Sequence, residues 1–225
     1  MQLLNKISWL AVLAFLAVGA CTKDYRNYEQ FIKDGPIVYP GRADTVQALA
    51  GKERILLRWA VPSDLNITSY KIFWNFGGDS LDVPGRKPVA GDSIKIYINN
   101  LVQGSYNFTV YSFDGAGHRS VGSNTIGNVY GSIFSTSIVT RSILGQTKDA
   151  TRSVLRIGWV GREEKCIGTE WAYTNANGAT ASVFSPLGDS TVISAINVAK
   201  PIQYRSLYLP EVNAIDTFFT EFKSL

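Results

Sequence analysis

Cys21 is the side chain whose surroundings define a chemistry most sharply. It follows Val18-Gly19-Ala20 at the end of an apolar run from Ile7 to Val18, with Lys6 just ahead of that run. A short cationic start, an apolar stretch and small residues before the cut are the layout of a secretory signal. With a thiol directly after the small residues, the layout predicts acylation of the Cys21 sulfur by diacylglycerol and removal of residues 1–20. The apolar run is shorter than the about 20 residues a membrane span requires. Two acyl chains would hold the protein on a bilayer stably, since each buried CH₂ contributes about 0.8 kcal/mol.

Other reactive candidates are few. His118 is the single histidine. It sits in the turn Asp114-Gly115-Ala116-Gly117-His118-Arg119 and is expected to be exposed there, because a triad needs an orienting acid and a nucleophile in reach. With Cys21 acylated, Cys166 lacks a disulfide partner and reads as a half-buried thiol beside Arg162-Glu163-Glu164-Lys165. There is no paired His/Cys spacing and no calcium-loop series of Asp and Asn, so no metal is expected. Asp79, Asp92 and Asp189 each precede a serine at a strand entrance, where a short polar side chain favours a turn. They do not read as the facing carboxylates of a glycoside hydrolase. The expectation is a chain without catalytic residues, cofactor or metal.

Aromatic residues offer a different chemistry. The chain has 11 Tyr, 11 Phe and 5 Trp. Sugars present apolar C–H faces that stack on exposed rings, while their hydroxyls bond to neighbouring Asp, Asn, Gln and Arg. Alternation turns Trp59, Trp159 and Trp171 inward, as core. Trp74 ends its strand beside Asn75, Phe76, Gly77 and Gly78, and Phe73 and Tyr97 fall on outward positions. Trp74, Phe73 and Tyr97 are therefore the candidate ligand-binding residues.

The elements that must position these residues are strands. Short apolar runs alternate with Gly, Asn, Asp and Pro turns at Thr45–Leu49, Arg54–Ala60, Ser69–Asn75, Ser93–Asn99, Ser105–Phe113 and Thr125–Tyr130. Ile55, Leu57 and Trp59 share one face of a period-2 pattern, with Arg54 and Arg58 on the other. Strands at this spacing, with no sustained 3.6-residue period, predict an all-β sandwich. The pattern then repeats. Leu57-Arg58-Trp59 is echoed by Ile157-Gly158-Trp159, and Asn75 by Asn175, both 100 positions on. Gly91-Asp92-Ser93 recurs as Gly188-Asp189-Ser190, 97 positions on, and Tyr106-Asn107-Phe108 has a looser counterpart in Ile202-Gln203-Tyr204. A nearly constant offset predicts two tandem sandwiches. The organisation is a signal peptide over 1–20, a lipid-anchored tether over 21–43, a first sandwich over 44–130 and a second, divergent one over 131–225, opened by Ile133–Thr140. Lys+Arg exceed Asp+Glu by 22 − 18 = 4. The charges are scattered without a basic block to follow phosphates, which argues against nucleic acid as a partner.

Trp59, Tyr70-Lys71-Ile72, and the run Leu101-Val102-Gln103-Gly104-Ser105-Tyr106-Asn107-Phe108-Thr109-Val110 with Asp114, Gly117 and Ser120 resemble a fibronectin type III domain. The resemblance implies that Trp59 packs between two sheets. It also implies that Tyr106, after Leu101, closes a tyrosine corner. The second repeat lacks the leucine–turn–tyrosine run ahead of Ile202. The whole chain is similar to a family of uncharacterised Bacteroidota lipoproteins, through Phe31–Gly41, Gly127-Asn128-Val129-Tyr130-Gly131 and Ile215-Asp216-Thr217-Phe218. That family is found alongside glycan-import machinery of the starch-utilisation type. Lys23-Asp24, directly after Cys21, resembles the short charged signals that direct such lipoproteins to the outside of the outer membrane. These similarities imply a protein held by its lipid anchor on the outer membrane, facing the cell surface and accessory to a glycan importer. Two function classes stay open: glycan capture, and a structural module that docks another envelope protein. A solvent-facing cluster of aromatics with polar neighbours favours the first, an uncovered sheet face or edge the second.

Overall fold

The computed structural model describes residues 39–87, 89 and 91–225. The expected signal peptide 1–20, the lipidation site Cys21 and the tether as far as residue 38 lie outside the described residues. Tyr39–Leu225 forms one compact unit whose regular secondary structure is almost wholly strand.

The first half contains β1 (Gln47–Lys52), β2 (Arg54–Ala60), β3 (Ile67–Trp74), β4 (Asp79–Pro84), β5 (Ser93–Asn99), β6 (Gly104–Asp114) and β7 (Ser123–Tyr130). Their order is β4-β3-β6-β7-β1-β2-β5. β1 joins the two layers: Gln47 to Ala50 pair antiparallel with β2, and Gly51 and Lys52 then pair parallel with Val129 and Tyr130 of β7. One shared core fills the space between the layers. Ile55, Leu57 and Trp59 of β2 and Ile94 and Ile98 of β5 meet Tyr70 and Ile72 of β3 and Phe108 and Val110 of β6. Trp59 packs edge-on against Tyr70, with ring centroids 5.4 Å apart. The Tyr106 hydroxyl donates to the Val102 carbonyl at 2.9 Å, over a buried Leu101. This is the tyrosine corner that the resemblance implies.

The second half contains β8 (Ile143–Asp149), β9 (Val154–Trp159), β10 (Cys166–Thr174), β11 (Thr180–Pro186), β12 (Ser190–Ser194), β13 (Gln203–Tyr208), β14 (Phe218–Phe219) and β15 (Lys223–Ser224). Its sheets are β12-β9-β8 and β11-β10-β13-β14, with β15 also paired to β13. In both halves the first, second and fifth strands form one layer and the fourth, third, sixth and seventh the other. The last strand of the second half is split into β14 and β15. This is the fibronectin type III strand order, twice. Every echo in the sequence falls on equivalent strands: Trp59 and Trp159 on the second, Asn75 and Asn175 just past the third, Phe108 and Tyr204 on the sixth. Trp171 stacks on Tyr204 with centroids 5.0 Å apart, and Trp159 lies 5.7 Å from the same ring. All three tryptophans expected in the core are buried.

One expectation is corrected at the start of the second half. Ile133–Thr140 does not open the second sandwich as a strand. A short helix, α1 (Ser132–Ser137), stands there, and the first strand begins at Ile143. The cause is tertiary. Gln103 Oε1 accepts the Gly131 and Phe134 N–H groups at 2.8 and 3.1 Å, and the Phe134 ring is clamped 5.1 Å from Tyr130 and 4.9 Å from Phe218.

The two halves are locked where β7 ends. Asp216 accepts from the Lys52 N–H and from Nε of Arg54, each at 2.8 Å, and from Arg54 Nη2. The Ile215 N–H donates to the Ala50 carbonyl at 2.8 Å. Glu211 accepts from Asn128 Nδ2 at 2.8 Å and from the Tyr130 hydroxyl at 3.1 Å. Two of the segments that carry the whole-chain resemblance, Gly127–Gly131 and Ile215–Phe218, thus meet at this joint. Gly51 makes room for it, because a Cβ there would lie 2.7 Å from Asp216 Oδ2 and 2.9 Å from Ile215 Cγ1. The hydrogen-bonded Arg54 guanidinium holds the Asp216 carboxyl below the usual carboxylate range. A group depressed in this way adds stability above its unfolded value of about 3.9, and the gain is lost as pH falls through the folded value. Asp216→Asn is therefore expected to lower the thermal midpoint at neutral pH, with the gap to wild type narrowing progressively as pH falls below about 3.9. A gap that stays constant as pH falls would contradict the assignment.

Candidate functional site

On β3 and β6 the residues not used by the core point away from it, onto the outer face of the β4-β3-β6-β7 layer. Phe73 of β3 and Thr109 of β6 are direct cross-strand partners, as are Lys71 and Tyr111. Asn107 lies opposite Ile126 of β7, and Thr109 lies opposite Asn124. An open groove of about 550 Å³ runs across this face, with Phe73, Trp74, Phe76, Asn107, Tyr111 and Arg119 prominent in its walls.

The floor of the groove is aromatic. Phe73 and Tyr111 meet edge-to-face with centroids 5.9 Å apart, a favourable arrangement of two ring quadrupoles. The Arg119 guanidinium lies 4.5 Å from the Tyr111 ring centre, and Lys71 Nζ lies 5.7 Å from that of Phe73. Thr109 Oγ1 donates to Asn124 Oδ1 of β7 at 2.7 Å, which fixes the Thr109 hydroxyl in the groove wall. Among the described residues no Asp or Glu lines the groove.

Phe76 stands over one end, fully exposed. Asn75 and Phe76 have φ of 50° and 55°. A left-handed backbone is uncommon for Asn and an outlier for a bulky side chain. Such strain tends to gather at ligand clamps and other functional positions. The turn that supports it is closed by the Gly78 N–H donating to the Asn75 carbonyl at 2.9 Å, and by Asn75 Nδ2 donating to Asp79 at 3.3 Å.

Phe73 and Trp74, both anticipated from sequence, share this groove. Trp74 is only half available, because its ring packs on the core side against Phe108, with centroids 6.3 Å apart. Tyr97 does not join them. It lies on β5, on the outer face of the opposite layer, half-exposed, with the Arg54 guanidinium 5.3 Å from its ring centre. Phe76, Tyr111 and Arg119 were missed by sequence reading. The signal that would have found Phe76 is a large apolar residue inside an Asn-Phe-Gly-Gly turn.

The reactive groups elsewhere are engaged structurally. His118 Nδ1 lies 2.8 Å from Asp114 Oδ2, at an exposed turn as expected. Desolvation works against the Asp114 charge. Hydrogen bonds from the His118 ring and from the backbone N–H groups of His118 and Ala116 outweigh it and hold the carboxyl low. Cys166 is buried rather than half-buried, and burial pushes its thiol up, away from the reactive thiolate. Beside it, burial pushes the Tyr208 hydroxyl up to about 12. That hydroxyl donates to the Val139 carbonyl at 2.6 Å. No group of His, Cys, Asp and Glu among the described residues is arranged to hold a metal. Among the same residues no helix is long and apolar enough to cross a membrane.

Fold and face together define a tandem pair of fibronectin type III-like sandwiches with an aromatic groove on the first. The chain belongs to the DUF4998 family, a domain of unknown function, whose model matches residues 21–218. No curated protein matches it. Among solved structures it is similar to the FN1–FN3 domains of chicken CNTN1, at 11% identity and a TM-score of 0.49 over 85% of this chain. It spans 66% of the length of that CNTN1 chain. A two-domain fibronectin type III segment of chicken tenascin matches at 14% identity and a TM-score of 0.31, covering 82% of this chain and 98% of that one. The Clostridium perfringens spore cortex lytic enzyme SleM matches at 17% identity and a TM-score of 0.34, over 42% of this chain and 31% of that one. The fold assignment rests on the strand order itself.

Proposed function

We propose that this protein is a non-catalytic lipoprotein that captures glycan chains at the bacterial cell surface, on the outer face of β4-β3-β6-β7. One observation carries the reading: an open groove with an aromatic floor, an amide, hydroxyl and guanidinium rim, and no carboxylate lining it among the described residues. A pyranose offers an apolar face for Phe73 and Phe76 and hydroxyls for Asn107 and Thr109. A glycosidase needs two carboxyl groups flanking the scissile bond, and the groove supplies neither. The strained turn that displays Phe76 supports a binding role as well.

Acylation of Cys21 would tether the sandwiches to the outer membrane, and the family match opens at that same residue. Anchored there, the groove would hand chains to an outer-membrane glycan importer. A second reading, a module that docks another envelope protein, draws on the outer face of β11-β10-β13-β14. Phe184, Phe219 and Phe222 are exposed there around Arg205.

A glycan array probed with the purified protein separates the two. The expected outcome is a set of related glycans whose affinity drops about tenfold, or about 1.4 kcal/mol, in Phe73→Ala and in Phe76→Ala. Silence across the array would favour the docking module instead.

A further inference from the structure

The charge around the groove is lopsided in a way that selects among glycans. Among the described residues Arg119 is the single Lys, Arg, Asp or Glu in the lining. Acids on the adjoining strands and turns have partners of their own: Asp82 holds Lys71 at 3.4 Å, Asp114 holds His118 at 2.8 Å, and Asp79 accepts from Asn75 at 3.3 Å. Among the described residues Arg119 takes part in no ion pair, and its side chain donates no hydrogen bond to the protein. What fixes it is the Tyr111 ring, 4.5 Å from the guanidinium carbon, and the backbone bridge of its own residue to Phe113.

A guanidinium with one face against an aromatic ring is partly stripped of water, yet its edge N–H donors remain free. That edge matches a planar carboxylate through two parallel, charge-assisted hydrogen bonds. The net charge, +4 for the full chain and +3 without Lys6, adds a weak general attraction for anions. A uronic acid joins the two requirements in one residue: a pyranose face for Phe73 and Phe76, and a carboxylate at its rim for Arg119. We infer that the groove takes acidic, carboxylate-bearing glycans of the uronic acid class. This inference rests on the glycan-binding reading above.

Calorimetry on the full chain tests it, with tetragalacturonate, its fully methyl-esterified counterpart, and a sulfated dextran oligosaccharide of equal charge as probes. Wild type is expected to bind the acid at least about tenfold more tightly than the ester. Arg119→Gln should erase that difference while binding the ester as before. Lys95→Gln, on the outer face of the opposite layer, should keep it. Phe73→Ala should weaken acid and ester together. Equal wild-type affinity for acid and ester, an unchanged ratio in Arg119→Gln, or tighter binding of the sulfated dextran would each overturn the carboxylate inference. In those cases a Phe73→Ala loss leaves the glycan groove itself standing. Failure of wild type to bind any of the three probes also overturns it, and the array result then decides the broader reading separately.

Discussion

Replacing Arg141 by alanine is expected to lower the free energy of unfolding by about 3 kcal/mol, a large share of the about 5–15 kcal/mol that holds a typical domain together. Arg141 is only 1% exposed, on the segment between α1 and β8. Its Nη2 donates to the Gly161 carbonyl at 2.6 Å and to that of Gly188 at 3.0 Å, and its guanidinium lies 4.4 Å from the Trp159 ring centre. Burial pushes its pKa below the ordinary arginine value, and among the described residues no carboxylate pairs with it. Its Nη2 is what satisfies the two carbonyls. Each would cost about 1–3 kcal/mol if orphaned, and relief of the buried charge offsets part of that sum. Arg141→Lys should recover part of the loss, since both bonds leave one nitrogen and an ammonium has donors for two carbonyls, while the planar cover over Trp159 is not replaced. Chemical denaturation reads the effect directly. A loss under about 1 kcal/mol in Arg141→Ala would show that water replaces the guanidinium without penalty.

The second large effect is steric. Gly127 of β7 faces the layer joint, where β1 passes from β2 to β7. A Cβ at that position would stand 2.2 Å from Ile55 Cδ1 and 2.6 Å from Ala48 Cβ. The first contact involves the free end of a side chain and yields with a rotamer change. The second is fixed to the β1 backbone and yields only if the strand moves. Gly127→Ala is therefore expected near the upper end of the overpacking range, about 3 kcal/mol. Ile55→Val removes the nearer clash. The double variant should be more stable than the sum of the two single losses predicts, by at least about 0.5 kcal/mol. Strict additivity, or a neutral Gly127→Ala, would mean that the joint is looser than its distances state.

The parts of the fold that the sequence announces are those decided by local pattern. Ile55, Leu57 and Trp59 alternate because one face of β2 meets the core, and the spacing of the echoes follows from two modules with the same strand order. Tyr106 reads as a corner because donor and acceptor are four residues apart. The remainder depends on partners far along the chain. β4 carries one buried residue, Val83, in DSLDVP, so no alternation marks it. Asp216 meets Arg54 across a separation of 162 positions. α1 has only six residues, and its SIFSTS sequence signals no helix. It forms because Gln103 and the aromatic clamp around Phe134 hold it. Arg141 is assigned to the surface by residue type, since nothing nearby in sequence predicts the two carbonyls that draw it inside.

The candidate site divides along the same line. Alternation puts Phe73 outward, and the strand end leaves Trp74 partly reachable. Tyr97 passes the same alternation rule, but alternation does not say which layer a strand joins. β5 pairs with β2, which carries Tyr97 to the far side. Tyr111 becomes a site residue by its pairing across β3 and β6. Arg119 becomes one by folding back over Tyr111 from the turn that follows.

The central claim is that ligand binds on the outer face of β4-β3-β6-β7 and nowhere else. Backbone amide chemical shifts, followed as a glycan positive on the array is titrated into the protein, test it most directly. The account predicts saturable shifts gathered at Phe73, Phe76, Asn107, Thr109, Tyr111 and Asn124, with Tyr97 and the strands β8 to β15 unmoved. Shifts centred on Tyr97, or on Phe184 and Arg205, would contradict it.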